Sequence, residues 1–530
     1  MIDPRAIKDF LNRPLDSHVW LKKISERKLD AALADQGFKP ARADPPLRKH
    51  QKVCILLGLA YPQFAFWLDM GTGKTRITLE LLRHAWLHEK LNRALILIPS
   101  EEGVYSWEKQ IRQWQIDIPF IALGNSASEE KWRQLDEFEN GLILATYPGL
   151  SWMLSVKKAV KGKSGKTKVK MKRSEKLSAR IMENLDAIVL DESTKVGNHQ
   201  SLTYKLCRKI SSECHWRYAL AGRPFGRDPT MIWSQQFLID RGETLGETLG
   251  LFRAAFFREK KAWFGGFDYI FDKRMEETLS DIMQHRSISY SSDECQTLPK
   301  VTRIVEKVRL PEDVEVYYQK AVDQIIAARG NRAIIKNAFL RMRQLSSGFL
   351  GFKDDETGER AQLVFPRNYK LDRMLELIEA IPLDRKFVIF HEFTHSGRMI
   401  CDALTKMKIR HGWLWGGQKE SRKVQEQFDN DDRTRGLVVN HKLGAMVLNL
   451  QVANYELVYE SPLSSIDRDQ MDKRLFREGQ VRPGFIIDMV VRDTVDQGIL
   501  DNHAEGGNLY DALLRNPQAI VGKTGGLRRG

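Results

Sequence analysis

Five short apolar runs, Phe64–Leu68, Ala94–Ile98, Leu142–Ala145, Ala187–Leu190 and Tyr218–Ala221, are separated by longer stretches with helical spacing. Parallel strands can be joined only by crossovers long enough to hold a helix, so this alternation confines the chain to a parallel sheet covered on both faces. A second series begins near Lys370, with strands expected at Phe387–Phe390, Gly436–Val439, Tyr455–Tyr459 and Gly484–Val490. Between the two, residues 252–350 read mainly as helical and charged, after a small duplication, Gly-Glu-Thr-Leu-Gly-Glu-Thr-Leu-Gly, that looks like a boundary. At 530 residues the chain is too long for one core. The expected organisation is an extension (1–44), a first α/β lobe (45–241, with a basic loop at 157–173), a helical linker (242–368), a second lobe (369–515) and a tail (516–530).

The most informative stretch is Phe64-Ala-Phe-Trp-Leu-Asp-Met-Gly-Thr-Gly-Lys-Thr75, in which an apolar strand enters a glycine turn and a helix follows. Gly71, Thr72 and Gly73 would bring backbone N–H groups to phosphate oxygens, Lys74 would reach the β/γ-phosphates, and the Thr75 hydroxyl would bind Mg²⁺. Leu68 stands where the strict phosphate-loop pattern has its first glycine. A superficially similar Gly162-Lys-Ser-Gly-Lys-Thr lies within the lysine run, with no strand before it, and reads as solvated loop. The partner carboxylates are supplied by Ala187-Ile-Val-Leu-Asp-Glu: Asp191 would hold Mg²⁺ and Glu192 would orient and deprotonate the attacking water. Each motif alone has a bland reading, a glycine turn or a solvated acidic turn. Together they point to ATP and Mg²⁺ as cofactors.

With Asp191-Glu192-Ser193-Thr194 in place, the chain resembles superfamily 2 helicases, and among them the Swi/Snf-like DNA translocases, from about Leu47 to Ile499. Leu47-Arg-Lys-His-Gln51 is similar to the family's glutamine motif, in which Gln51 would read adenine. Leu95-Ile-Leu-Ile-Pro-Ser with Trp107 and Trp114, Ala145-Thr-Tyr147 and Leu220-Ala-Gly-Arg-Pro-Phe-Gly resemble the following segments. Later, Lys386–Phe390, Gly444–Gln451 and Gln470–Gln480 resemble the segments of the second lobe, with Arg474 and Arg477 at the arginine-finger positions. The resemblance implies two RecA-like lobes in tandem, with ATP between them, hydrolysis linked to lobe motion, and DNA as partner, duplex favoured. It also places Thr146, Tyr147 and Asn449 along the nucleic acid. Arg223, Ala445, Val447 and Lys473 depart from the family pattern and mark a divergent branch.

The formal charge is +15, and nine Lys/Arg without an acid between Lys157 and Arg173 account for all but +6 of it. That run reads either as a solvated loop or as an auxiliary DNA grip through residues such as Lys163, Lys166 and Lys168. His391-Glu-Phe-Thr-His395 is a literal zinc-protease pattern, but its first histidine directly follows an apolar run that reads as a strand. A conventional strand-separating DNA or RNA helicase, or a non-hydrolysing ATP-dependent switch, would also be compatible with the nucleotide motifs. Five scattered cysteines without a C-x-x-C pair, no apolar run of membrane-spanning length and no secretory leader at Met1 lead to the expectation of an intracellular protein. No histone-reading module is recognisable, which favours a bacterial or bacteriophage setting. The sequence is compatible with a monomer.

Overall fold

In the computed structural model, described residues are 3–504 except 89–90, 125–127, 162–166, 223, 225–228, 262–266, 296–298, 329–330, 354–359, 417, 419–420, 445–449 and 477–479. The chain divides into two compact units, one of 1–260 with 268–296, the other of 261–267 with 297–530.

The first unit is built on β1 (Gln63–Leu68), β2 (Arg93–Ile98), β3 (Phe120–Leu123), β4 (Gly141–Thr146), the pair β5 (Ser155–Lys161) and β6 (Thr167–Arg173), β7 (Leu185–Asp191), β8 (Trp216–Ala221), the pair β9 (Phe257–Lys261) and β10 (Phe267–Phe271), and β11 (Ser287–Tyr290). Seven of these form one parallel sheet in the order β11-β1-β8-β7-β2-β4-β3. Alternate residues of each strand feed two separate cores. Ala65, Trp67, Leu95, Leu97, Ile188 and Leu190 pack on one face, and Phe64, Phe66, Leu68, Ile96, Ile98 and Val189 on the other. Burial on both sides is why these strands read as unbroken apolar runs. The first forty-four residues carry little periodicity, yet they form helices Pro4–Leu11 and Glu26–Asp35 whose Phe10, Leu29 and Leu33 enter these cores.

In the second unit β12 (Val301–Val308), the pair β13 (Phe349–Lys353) and β14 (Arg360–Val364), β15 (Phe387–His391), β16 (His411–Leu414), β17 (Gly436–Asn440), β18 (Tyr455–Val458) and β19 (Gly484–Val491) follow. Six of them make a second parallel sheet, β12-β19-β18-β15-β17-β16. Two faces again divide the core, Val388, Phe390 and Val439 on one side and Phe387, Ile389 and Val438 on the other. Residues 242–368, expected to be a helical linker, therefore also give β11 to the first sheet and β12 to the second. The basic stretch is not an irregular loop: β5 and β6 pair antiparallel from Ser155↔Arg173 to Lys161↔Thr167.

Helix Ser465–Asp472 is fixed to the second sheet by buried charge. The Arg468 guanidinium donates to Asp472 at 2.7 Å and to both carboxylate oxygens of Asp488 on β19, and Arg303 on β12 also reaches Asp472. Burial, then the charge on Asp472, pushes the neighbouring Glu456 well above the usual carboxylate range. Removing the central cation would strip buried Asp488 of its guanidinium and leave buried Asp472 with the half-exposed Arg303 alone. Arg468→Ala should therefore cost about 3–5 kcal/mol of stability, read as a lower denaturant midpoint; an unchanged midpoint would mean that the network is solvated.

Candidate nucleotide site

β1 ends at Leu68, and the backbone then turns through Gly71 and Gly73, whose φ values of +80° and +89° lie in the left-handed region that side chains disfavour. A Cβ on Gly73 would also overlap the Gln51 amide. Helix Lys74–Leu87 starts at once, so its first N–H groups face the turn. The Lys74 ammonium rests on the Leu68 carbonyl at 2.8 Å, and the Thr72 hydroxyl donates to the Asp69 carbonyl at 2.7 Å.

Neighbouring elements clamp this loop. His50 donates from its ring to the Thr72 carbonyl at 2.7 Å, and burial lowers its pKa. Gln51 accepts from the Arg48 N–H at 3.0 Å while its amide nitrogen lies 3.4 Å from the same Thr72 carbonyl. From the other side, the Asp69 N–H donates to the Tyr290 carbonyl at the end of β11. Just beyond, the Ser292 N–H donates to the Asp69 carboxylate at 3.0 Å and its hydroxyl to the Met70 carbonyl at 3.4 Å.

The acidic pair ends β7, and β8 runs between it and β1. The register Asp191↔Leu220 and Leu220↔Phe66 puts Asp191 two strand spacings, about 10 Å, to the side of β1. Its carboxylate accepts from the Trp107 indole at 2.8 Å and from the Glu192 N–H at 3.1 Å. Burial, followed by the charge on Glu192, nevertheless pushes the Asp191 pKa up to about 6. A buried oxyanion so poorly solvated could hold a divalent cation, for which the Thr75 hydroxyl, in the first turn of helix Lys74–Leu87, could serve as a second ligand. Glu192 adopts a left-handed conformation, φ +49°, which turns the chain sharply at the strand's end. Ser193 next to it donates to Gln235 at 2.7 Å, and Gln235 donates to the Pro224 carbonyl at 2.6 Å, linking the acidic turn to the segment after β8.

Thr146 ends β4 and Tyr147 opens the next helix, and the two residues are only 5% and 3% exposed. Thr146 caps the next helix by accepting from the Gly149 N–H, and the Tyr147 hydroxyl donates to the Asp191 carbonyl at 2.9 Å. In the second unit Arg474 is 8% exposed and lies just after helix Ser465–Asp472. Lys168 lies on β6. Arg477, Asn449, Lys163, Lys166, Arg223, Ala445 and Val447 fall outside the described residues.

The histidines of the His391–His395 pattern do not share a helix face. His391 ends β15, whereas His395 belongs to helix Thr394–Lys406. The His391 ring bonds the Phe393 carbonyl and accepts from Trp413, and burial holds its pKa down to about 4. Glu392 pairs with Arg343 at 2.6 Å and His441 at 3.1 Å. Among the described residues, no group of three or more His, Cys, Asp or Glu side chains is placed to hold a metal. The zinc-protease geometry is not formed.

The family described as the SNF2-related domain matches residues 66–354, more than half of the chain. The chain belongs to this SNF2-related family. Among similar proteins is YwqA of Bacillus subtilis, whose name describes an ATP-dependent helicase/translocase; it is 23% identical over 521 residues, 93% of this chain and 52% of its own length. A DNA repair and recombination protein RAD54-like of Drosophila mojavensis is 23% identical, with 85% and 60% covered. The phage protein p41 of an Acyrthosiphon pisum secondary endosymbiont is 21% identical, with 88% and 97% covered. The chain thus spans about half to three fifths of the length of the first of these curated relatives. A Sulfolobus solfataricus SWI2/SNF2 ATPase core in complex with dsDNA matches with a TM-score of 0.38 and 18% identity, covering 90% of this chain and 94% of that one.

The SNF2-related match contains the phosphate loop, the acidic pair and three of their clamps, Trp107, Gln235 and Ser292, while His50 precedes it. His50 and Trp107 stand in segments that the sequence marks, whereas Gln235 and Ser292 carry no signal. The His50 contact has a direct test. His50→Leu keeps the ring's bulk but removes the donor to Thr72. Amide exchange at 69–73 should accelerate roughly two- to tenfold, the range of a hydrogen bond worth about 0.5–1.5 kcal/mol, with the global unfolding midpoint little changed. Unaltered exchange would show that the loop does not depend on this contact.

Proposed function

We propose that this chain is an ATP-driven DNA motor, hydrolysing ATP at the Lys74–Asp191–Glu192 site and moving along duplex DNA without conventional strand separation. The observation that carries this reading is the pairing, on one edge of the first sheet, of a glycine phosphate loop with a buried carboxylate whose pKa is raised to about 6. Membership of the SNF2-related family adds to it.

The N–H groups of Gly71, Thr72 and Gly73 and the N-terminus of helix Lys74–Leu87 cradle the phosphates. Lys74 exchanges its Leu68 carbonyl for the β/γ-phosphate oxygens. Gln51 stands beside the loop to read the adenine. Thr75 and Asp191 would hold Mg²⁺, which would neutralise phosphate charge when bound. Trp107 orients the Asp191 carboxylate, as partners of metal ligands generally do. Glu192 accepts the proton of the water that attacks the γ-phosphorus, and ADP departs as the P–O bond breaks. Arg474 and Arg477 stabilise the charge of the transferred phosphoryl.

Grip on the DNA backbone carries little sequence information, so base preference is weak. DNA as the track is supported by one relative named for DNA repair and recombination and another named for helicase/translocase activity. A motor holding phosphates need not open base pairs. The Thr146–Tyr147 segment and Asn449 supply part of that grip, the former through its backbone, since both side chains are turned inward. No helix of the described residues is long and apolar enough to cross a membrane.

Glu192→Gln should retain ATP binding while turnover falls at least about 100-fold, and Lys74→Ala should lose both. Arg474→Ala should lower kcat by about 10³ with little change in ATP affinity, because guanidinium charge matters most in the transition state. Wild-type turnover by Glu192→Gln would remove the assigned base.

The track is decided by two measurements on one preparation: displacement of a triplex-forming strand and separation of a tailed duplex. We expect duplex-stimulated ATPase activity and triplex displacement. Tailed-duplex separation without triplex displacement would make the protein a strand-separating helicase.

A further inference from the structure

A second basic surface lies at the opposite end of the first sheet from the phosphate loop. Helix Leu202–Ser211 buries Tyr204, Leu206, Cys207 and Ile210 against the unit. Its other face carries Lys205, Arg208 and Lys209, spaced three and four residues apart so that they neighbour one another. Arg241, just after helix Thr230–Asp240, completes the group by donating to the Ser211 carbonyl at 2.7 Å. These four side chains, with Phe237, Ser211 and Ser212, line a cavity of about 450 Å³. Arg208 lies over the Phe237 ring at 4.9 Å.

Like charges at this spacing destabilise a helix unless something compensates them. No ion pair neutralises any of the four among the described residues. The nearby acids are otherwise occupied or outward: Asp240 is buried and accepts from Gln236, Gly242 and Thr244, and exposed Glu213 accepts from Ser212. Burial, followed by the Arg241 charge, pulls the adjoining Arg217 down to about 10.

A neighbouring cavity of about 730 Å³ shares Lys209, but Glu183 and Glu213 line it beside Lys176 and its Arg180 is paired with Asp136, so the uncompensated charge is confined to the Lys205–Arg208–Lys209–Arg241 face. Strand β6, from the hairpin that carries lysines and no acid, runs beside the same helix. Ser211 and Ser212 precede β8 while the phosphate loop follows β1, so the six-residue strands hold the two sites about 20 Å apart. One nucleotide cannot occupy both.

We propose that the Lys205–Arg208–Lys209–Arg241 face binds the phosphodiester backbone of a second duplex DNA segment, so that the protein holds two duplexes at once. Four cations along one edge suit a repeating anion, and the absence of paired acids leaves them available to it. The inference goes beyond the motor reading, which requires only one track.

The test uses the full chain and the triple variant K205Q/R208Q/K209Q, which relieves like-charge repulsion and leaves the nucleotide residues untouched. Duplex affinity is measured by fluorescence anisotropy against NaCl concentration. Bridging is measured as retention of a labelled duplex by an immobilised unlabelled one. We expect the slope of log K against log salt to flatten by about 0.9 for each lost phosphate contact, bridging to be lost, and kcat at saturating DNA to stay within about twofold of wild type.

Unchanged slope and bridging in a folded variant would overturn the proposal. So would unchanged duplex binding with a loss of inorganic phosphate binding alone, which would make this a small-anion site. Absence of DNA-stimulated ATPase in the wild type would instead strike the motor reading, and a variant-dependent salt slope would still support the second face.

Discussion

Parallel hydrogen bonding sets every strand of a sheet in the same direction, and the chemistry of this protein depends on that constraint. The phosphate loop can only follow β1 and the acidic pair can only follow β7, so both emerge on one edge. β8 between them fixes their separation through its register with each neighbour. The spacing between the glycine turn and the acidic pair is therefore held by backbone ladders rather than by side chains, and both cores of the sheet must be intact to maintain it. The cost is concentrated at Asp191, a carboxylate withdrawn from water and supported by one indole and one amide. Such a group is uncomfortable alone and comfortable beside a cation, which is a reason for it to be conformationally well fixed before any ligand arrives.

The nine strands expected from apolar runs are all present, because strands buried on both faces cannot alternate and so stand out. The strands that apolar patterning misses are edge or short ones. β11 is Ser-Ile-Ser-Tyr, half of it polar, and β12 is Val-Thr-Arg-Ile-Val-Glu-Lys-Val, with pairs of polar residues breaking the apolar run along a partly exposed edge. Both lie inside a stretch whose composition reads as charged and helical. Placing β11 and β12 in different sheets requires knowing their partners, Ala65 to Leu68 in one case and the whole of β19 in the other, which lie far away in the chain.

The site is legible where chemistry imposes spacing. Glycine, lysine and threonine must be consecutive to wrap a phosphate, and the acids must end an apolar strand. The supports of that site obey no such rule. Trp107 meets Asp191 across 84 residues, Ser193 meets Gln235 across 42, and Ser292 meets Asp69 across 223. Folding brings these together by topology, and any residue with a suitable donor would serve. The basic hairpin shows the reverse failure: its charge is obvious, but lysine-rich composition hides a regular antiparallel ladder.

The bonds that Tyr290 and Ser292 make to Asp69 and Met70 have a mechanical meaning. From Ser292 the polypeptide continues within a few residues to Val301, the first residue of the second sheet. The segment leaving β11 is thus stitched to the glycine turn at three points, so any change in the backbone of the turn must be accommodated by the first residues of that segment.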